Sequence, residues 1–201
     1  MYRLYDFLPS GNGYKVRLLL NLLEIPFERI ELNILKGETR TPEFLQKNSN
    51  GKIPLLQISS DKFIAESNAI LYYLSKETDY FPQDKYTQAQ VMQWLFFEQY
   101  SHEPFIATSR YWISILKQQE KYREQLEQKQ KLGYAALEVM DRHLEHRNYF
   151  VEETYTIADI GLYAYTHVAE EGGFYLQQFP HILAWFERIQ AHPKHILITT
   201  E

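Results

Sequence analysis

Arg3, Leu4, Tyr5, Asp6 and Phe7 alternate polar and apolar side chains, the period of a half-buried strand. A concentrated break follows at Pro9, Ser10, Gly11, Asn12 and Gly13. Val16, Leu19, Leu20 and Leu23 then recur at helical spacing until Pro26 ends the run. Glu28 to Leu32 alternates again, so strand, helix and strand form a βαβ unit whose two strands are parallel. Thr41-Pro42-Glu43-Phe44 carries proline where a helix starts. The loop Asn48 to Gly51 leads into Ile53-Pro54-Leu55-Leu56-Gln57-Ile58, a third strand opened by a proline. Ser59-Ser60-Asp61 turns that strand back into a short fourth one, Lys62 to Ala65, and the resulting hairpin is antiparallel. Ser67 is expected to cap a helix carrying Ile70, Leu71 and Leu74. Residues 1–78 thus read as βαβαββα, an α/β domain with a mixed four-stranded sheet.

Residues 79–85 form a short linker, and residues 86–201 carry only helical periodicity. Val91, Trp94, Leu95, Phe105, Trp112 and Leu116 mark one long helix from Gln88 to Leu116. Pro104 lies inside it, and its ring should clash with the Tyr100 carbonyl and bend the helix. Residues 118–131, rich in Gln, Glu and Lys, read as a solvated helix–turn–helix, and a further helix runs from Leu132 to Leu144. Thr156 to Val168 is another, closed by Gly172-Gly173, and Pro180 to Ala191 is the last.

Composition narrows the chemistry. The chain has no cysteine, which excludes disulfides, thiolate metal sites and a protein thiol nucleophile. The net charge of -5 gives no general affinity for nucleic acid or an anionic membrane. No stretch approaches the ~20 apolar residues of a membrane helix. The opening, Met1 to Phe7, is too short and mixed for a secretory signal, so a cytoplasmic location is expected. His143 and His146 are close enough on a helix to share a metal, but no third ligand is evident and no metal is expected.

Four motifs in register are more specific than any of these features. Ser10-Gly11-Asn12-Gly13-Tyr14-Lys15-Val16 stands where the first strand turns into the first helix. Lys52-Ile53-Pro54 opens the third strand, Glu66-Ser67 starts the third helix, and Thr156-Ile157-Ala158-Asp159 caps a helix of the second half. Together they resemble the cytosolic glutathione transferases, particularly bacterial members, over nearly the whole chain. The resemblance implies a thioredoxin-like glutathione-binding domain over residues 1–78 and an all-α domain over residues 86–201. It also implies a homodimer, for which Phe63 and Trp94 are among the hydrophobic residues available.

The same resemblance suggests roles. Glutathione attacks as a thiolate, whereas a free thiol near pKa ~8.5 is mostly protonated at neutral pH. A donor at a helix N-terminus stabilises the thiolate, aided by the helix dipole. Ser10 is the first candidate for that donor and Asn12 the second. Tyr5 competes only if its ring points to the cleft, and Gly13 leaves no cysteine-dependent route. In the family the proline matching Pro54 is cis, and the Ile53-Pro54 bond presents backbone to the cysteinyl part of glutathione. Ser67 and the helix start behind it would take the γ-glutamyl carboxylate, and Glu66 the ammonium. Lys52, or less directly Lys36, would reach the glycyl carboxylate. Beside these readings stand plain ones, since Ser10, Asn12 and Ser67 also suit turns and caps, and surface lysines are usually solvated. Thr156 to Asp159 is a capping box with Asp in the usual Glu position, a structural motif.

The second substrate is expected between Ser10 and the bent long helix, near His102, Phe105, Ser109, Arg110 and Tyr111. The first three share one helical face. The implied activity is transfer of glutathione to a small electrophile, as in detoxification. The alternative is glutathione-dependent reduction of a disulfide or peroxide, with a second glutathione supplying the resolving sulfur. A non-catalytic binding module of the same fold fits less well, because Ser10, Glu66 and Ser67 are all present. No nucleic acid, membrane or metal partner is expected.

Overall fold

The computed structural model describes residues 1–200. Two compact units emerge, one made of residues 1–76 with the C-terminal segment from Lys194, the other of Glu77–Pro193. In the first unit, β1 (Tyr2–Asp6), β2 (Phe27–Glu31), β3 (Leu55–Gln57) and β4 (Phe63–Ala65) form one sheet in the order β2-β1-β3-β4. β1 and β2 are parallel, with Tyr5 opposite Ile30, whereas β1–β3 and β3–β4 are antiparallel. The helices are α1 (Gly11–Leu22), α2 (Pro42–Lys47) and α3 (Ser67–Ser75). Thr41 caps α2 with its hydroxyl and Pro42 takes the first helical position, as the sequence suggests.

Two local details differ from expectation. The third strand starts at Leu55 rather than Ile53, because the cis Ile53-Pro54 bond precedes it and proline has no N–H for the sheet. Glu66, not Ser67, is the N-cap of α3, and Ser67 is its first helical residue.

The C-terminal segment departs from the reading that gave it to the helical domain. It lies along α1, where Tyr14, Arg17 and Asn21 fall on one face. Tyr14 Oη donates to the Ile196 carbonyl at 2.6 Å, and Asn21 Nδ2 to that of Lys194 at 2.7 Å. Arg17 Nη1 donates to the carbonyls of Ile198 and Thr200 at 3.0 and 2.9 Å. Every one of these acceptors is main chain.

The helical unit holds α4 (Lys85–Phe97), α5 (Glu103–Arg110), α6 (Arg123–Leu144), α7 (Ile157–Thr166) and α8 (Pro180–Gln190). Pro104 does not simply bend one α-helix. A π turn, Glu98–His102, precedes it, and the Glu103 N–H reaches back to the Glu98 carbonyl. The wider turn accommodates a residue with no N–H and a bulky ring. A second π turn follows at Tyr111–Ile115. The expected helix–turn–helix is instead a short 3₁₀ turn, Glu120–Tyr122, running into the single helix α6. Its buried positions, Leu126, Gly133, Ala136, Leu137, Met140 and Leu144, are sparse at the start, so the polar stretch hid its continuity. Among the described residues, no helix is long and apolar enough to cross a membrane.

The capping box forms at α7, every residue of which is buried. Asp159 Oδ1 accepts from the Phe150 N–H and the Trp185 indole, both at 3.1 Å, while Oδ2 accepts from the N–H and hydroxyl of Thr156. Burial nonetheless outweighs these donors and pushes the carboxyl up to about 6. The folded pKa thus lies above the ~3.9 of an unfolded aspartate, so the folded state holds this proton more tightly. The resulting stabilisation is full below pH ~4 and lost as pH rises through about 6. Relative to Asp159→Asn, which does not titrate, the wild type should lose about 3 kcal/mol between these limits. Urea unfolding of both proteins across that range checks it; parallel curves would refute the raised value.

In the first unit, Tyr14→Phe removes one hydrogen bond and should lower stability by about 1 kcal/mol. Arg17→Met strands a buried carboxylate and several carbonyls, and should cost about 3–5 kcal/mol. Equal effects in urea unfolding would show that Arg17 anchors the segment no more firmly than Tyr14 does.

Candidate functional site

At the C-terminal end of β1 the chain crosses Phe7 to Ser10 and enters α1, the loop being held by several hydrogen bonds. The Leu8 N–H donates to the Glu31 carboxylate at 3.1 and 3.2 Å, and the Leu8 carbonyl accepts from Arg17 Nη2 at 2.7 Å. The Ser10 N–H donates to the Phe7 carbonyl at 2.7 Å. Beneath the loop, Arg17 Nε stands 2.8 Å from Asp6 Oδ2, with both side chains sealed from solvent. Burial pushes the Asp6 carboxyl up against the pull of this guanidinium. Gly13 is required here by close approach, because a Cβ at this position would sit 1.6 Å from Asp6 Oδ1.

Ser10 is the N-cap of α1, and its Oγ accepts from the Gly13 N–H at 3.2 Å. A cap of this kind typically stabilises a helix by ~1 kcal/mol. As acceptor, the hydroxyl keeps its own hydrogen for a further partner. No acidic residue occupies the first turn of α1 or of α3, although the Glu66 carboxylate stands at the N-cap of α3. Tyr5 faces another way. Its hydroxyl donates to Gln57 Oε1 at 3.2 Å, and Gln57 pairs across the sheet with Arg3, towards the start of β1. That direction leads away from Ser10.

The N-termini of α1 and α3 are joined by side chains. Ser67 Oγ donates to Asn12 Oδ1 at 3.0 Å and accepts from Lys15 Nζ at 3.3 Å. With Oδ1 bonded to Ser67, a further acceptor would meet Asn12 at Nδ2. Because the Ser67 hydroxyl is used internally, the anion-binding capacity of this helix start resides in its backbone N–H groups. Sequence reasoning missed Lys15, taking it as a helix residue without a task. The available signal was its three-residue offset from Asn12, which puts both on one face.

Glu66 is exposed and holds φ 67°, ψ 115°, a backbone conformation that costs a non-glycine residue of order 1–3 kcal/mol. The carboxylate is thereby presented directly ahead of α3. Ile53 is half-buried, Pro54 is buried and Lys52 is exposed, the three being consecutive before β3. Lys36 is exposed in a 3₁₀ turn, Ile34–Lys36, capped by Asn33.

The residues expected around the second substrate have their own partners in the helical unit. His102 is fully buried, with Nε2 2.9 Å from Thr166 Oγ1. Because the Thr166 hydroxyl donates to the Leu162 carbonyl, it accepts from a His102 protonated on Nε2. Ser109 is fully buried and donates to the Phe105 carbonyl, while Arg110 Nε pairs with Glu171 at 2.8 Å. Phe105 and Tyr111 are half-buried, and Lys129 stands over the Phe105 ring. Trp94 is core, packed edge-on to Phe97, His143 and Phe150. His143 Nε2 lies 2.9 Å from the Phe150 carbonyl. Among the described residues no group of three or more His, Asp or Glu is placed to hold a metal.

Comparison with known proteins bears on the whole chain. Residues 1–76 match the glutathione S-transferase N-terminal domain, and residues 88–193 the C-terminal domain. The crystal structure of glutathione S-transferase from Pseudomonas fluorescens Pf-5 is 47% identical, with a TM-score of 0.97 and coverage of 99% of each chain. The disulfide-bond oxidoreductase YfcG of Escherichia coli K12 is 29% identical over 93% of this chain and 89% of its own length. The structure of Ure2p in complex with glutathione is 26% identical, with a TM-score of 0.84, over 96% of this chain and 90% of that one. With its α/β and helical halves each matched, the chain belongs to the glutathione S-transferase family.

Proposed function

We propose that this enzyme binds glutathione in its first unit, holds the thiol as a thiolate and transfers it to a small electrophile. The observation that carries this reading is the pair of helix N-termini, α1 and α3, linked through Ser67 and Asn12. Two such termini suit a ligand with a nucleophilic sulfur at one position and an α-amino acid end at another. In this reading Ser10 donates its hydroxyl hydrogen to the sulfur, and Asn12 adds Nδ2. The α3 amides take the γ-glutamyl carboxylate, Glu66 pairs with the ammonium, and the Ile53-Pro54 backbone receives the cysteinyl portion. Lys52 and Lys36 serve the glycyl carboxylate. Of the residues offered to the electrophile, Phe105 and Tyr111 keep exposed surface, whereas His102, Ser109 and Arg110 act through packing.

A second reading, glutathione-dependent reduction of a disulfide or peroxide, is favoured by the relationship to YfcG and by the lack of cysteine. Its balance is simple. The bound thiolate attacks a disulfide sulfur and expels the other sulfur as a thiolate, leaving a mixed disulfide, which a second glutathione cleaves to release the remaining thiol and glutathione disulfide. We also propose a homodimer in the cytoplasm. Tyr72 and Tyr73 on α3, and Phe96 and Tyr100 around the end of α4, are exposed aromatics of the kind an interface covers.

Ser10→Ala should lower kcat/KM with an aryl halide about 10²-fold, the usual loss for an oxyanion-type donor. Unchanged turnover would remove Ser10 from the reaction. Comparing the wild type on that substrate and on hydroxyethyl disulfide then separates conjugation from reduction. Glu66→Gly gives a sharper signature, because it relieves the left-handed φ while removing the carboxylate. Its melting temperature should hold or rise as the KM for glutathione increases roughly 10–100-fold. A drop in melting temperature with KM unchanged would mean that Glu66 serves the fold alone.

A further inference from the structure

Glu31 closes β2 opposite Asp6 in the parallel β1–β2 ladder, so the two carboxylates share one face of the sheet. Like charges in that relation repel, and the fold sets a guanidinium on each, Arg17 on Asp6 and Arg29 on Glu31. The Glu31 side chain keeps 44% of its surface exposed, and a solvated ion pair of this kind contributes little to stability. Its other bond is more specific. The carboxylate accepts the Leu8 N–H, with its two oxygens at 3.1 and 3.2 Å.

Leu8 leads directly to Ser10. The Ser10 N–H donates to the Phe7 carbonyl at 2.7 Å, which closes a turn with Leu8 second and Pro9 third. Proline is disfavoured in third place of the commonest turn, because it drives the residue before it out of the helical region. Local preference alone does not hold such a turn, and both polar groups of Leu8 are held from outside. Glu31, from β2, takes the N–H, and Arg17, from α1, donates to the carbonyl at 2.7 Å. Two successive peptide planes are thereby fastened to two different elements. The ring of Pro9 fixes its φ at about −65°, so the orientation of those planes passes with little slack to Ser10, the N-cap of α1.

We propose that Glu31 is a positioning residue for thiol activation, which by accepting the Leu8 N–H sets the turn that aims the Ser10 hydroxyl at the glutathione sulfur. The inference rests on the reading of Ser10 as the thiolate donor. Glu31 touches no reacting atom in this scheme. Its negative charge by itself disfavours a thiolate, so its acceptor and its charge act on the bound thiol in opposite directions. The two contributions are therefore separable by sign.

The experiment is a pH titration of thiolate absorbance for glutathione bound to the wild type, Glu31→Ala, Glu31→Gln, Ser10→Ala and the variant combining Ser10→Ala with Glu31→Ala, each with a melting temperature. Because Glu31 is exposed, its variants should fold. Glu31→Ala should raise the pKa of the bound thiol by about half a unit, lowering kcat/KM about threefold below that pKa and leaving it near wild type well above. Glu31→Gln retains an oxygen for the Leu8 N–H and sheds the charge, so it should produce no rise. In the Ser10→Ala background, Glu31→Ala should add no further rise, since the group it positions is gone. A fall in both Glu31 variants would leave only through-space charge and overturn the proposal. An unmoved thiol pKa in Glu31→Ala, whatever its melting temperature, would make Glu31 structural and overturn it too. Equal rises in Glu31→Ala and Glu31→Gln, or an additive rise in the combined variant, would also count against it decisively. A wild-type thiol pKa in Ser10→Ala would instead remove the underlying reading of Ser10, and that outcome is distinct from failure of the clamp on Leu8.

Discussion

The first unit depends on the ion pair between Asp6 and Arg17, both sealed from water. Taking two charges into a protein interior is unfavourable unless their remaining hydrogen-bonding groups are also satisfied. That requirement organises the surroundings. It is met on the arginine side, where the remaining donors fasten the Leu8 carbonyl on one side and the carbonyls of Ile198 and Thr200 on the other, while Asp6 relies on the ion pair. A single guanidinium therefore ties the end of β1, the middle of α1, the loop before Ser10 and the last residues of the chain. The planar fork of arginine is suited to this task, whereas a lysine would serve as a point charge. Gly13 belongs to the same constraint, because only a residue without Cβ lets α1 start so close to the Asp6 carboxylate. The loop that carries Ser10 is consequently fixed before any ligand arrives, the condition under which a donor stabilises an anion without reorganising.

Much of this fold was legible in the sequence for definite reasons. β1 and β2 announce themselves by period two, the hairpin by Pro54 and the Ser59-Ser60-Asp61 turn, and α1 by the break at Pro9 to Gly13 followed by leucines at helical spacing. Thr41-Pro42 and Thr156 to Asp159 are local signals, and each forms the cap that its residues imply. Resemblance supplied what periodicity does not, such as the cis bond before Pro54. The features that escaped each have a physical cause. The docking of residues 194–200 uses main-chain carbonyls, which every residue type possesses and no pattern records. The start of α6 is solvated on most faces, so its helical period is faint until Gly133. The cap of α3 falls on Glu66 in a left-handed conformation, which composition would never favour for glutamate.

Buried polar groups of the helical unit show how the same residue types acquire different meanings. His102, Ser109 and Arg110 look like chemistry when read along one helix, yet their bonds to Thr166, Phe105 and Glu171 lie within the unit. Burial is what the sequence could not supply. A histidine on a face with Phe105 is equally consistent with a substrate cleft and with a core, and only the neighbouring helix α7 distinguishes them. Asp159 is the converse case. Its environment lifts its pKa as an active-site acid's would be lifted, but its four donors come from the Thr156 cap, the Phe150 N–H and Trp185, all within the unit. A perturbed pKa therefore indicates a site only where a ligand can reach the group.

The absence of cysteine gives the first unit its chemical character. A thioredoxin-like arrangement without a thiol has kept the helix start and the strand edge while the reactive sulfur comes from the ligand. In the proposed reading, control over that sulfur is exerted through neutral donors, a hydroxyl at Ser10 and an amide at Asn12, and neutral donors have a weakness that a charge lacks. An amide has two ends of opposite polarity and nearly equal shape, so it stabilises an anion only when something behind it forbids rotation.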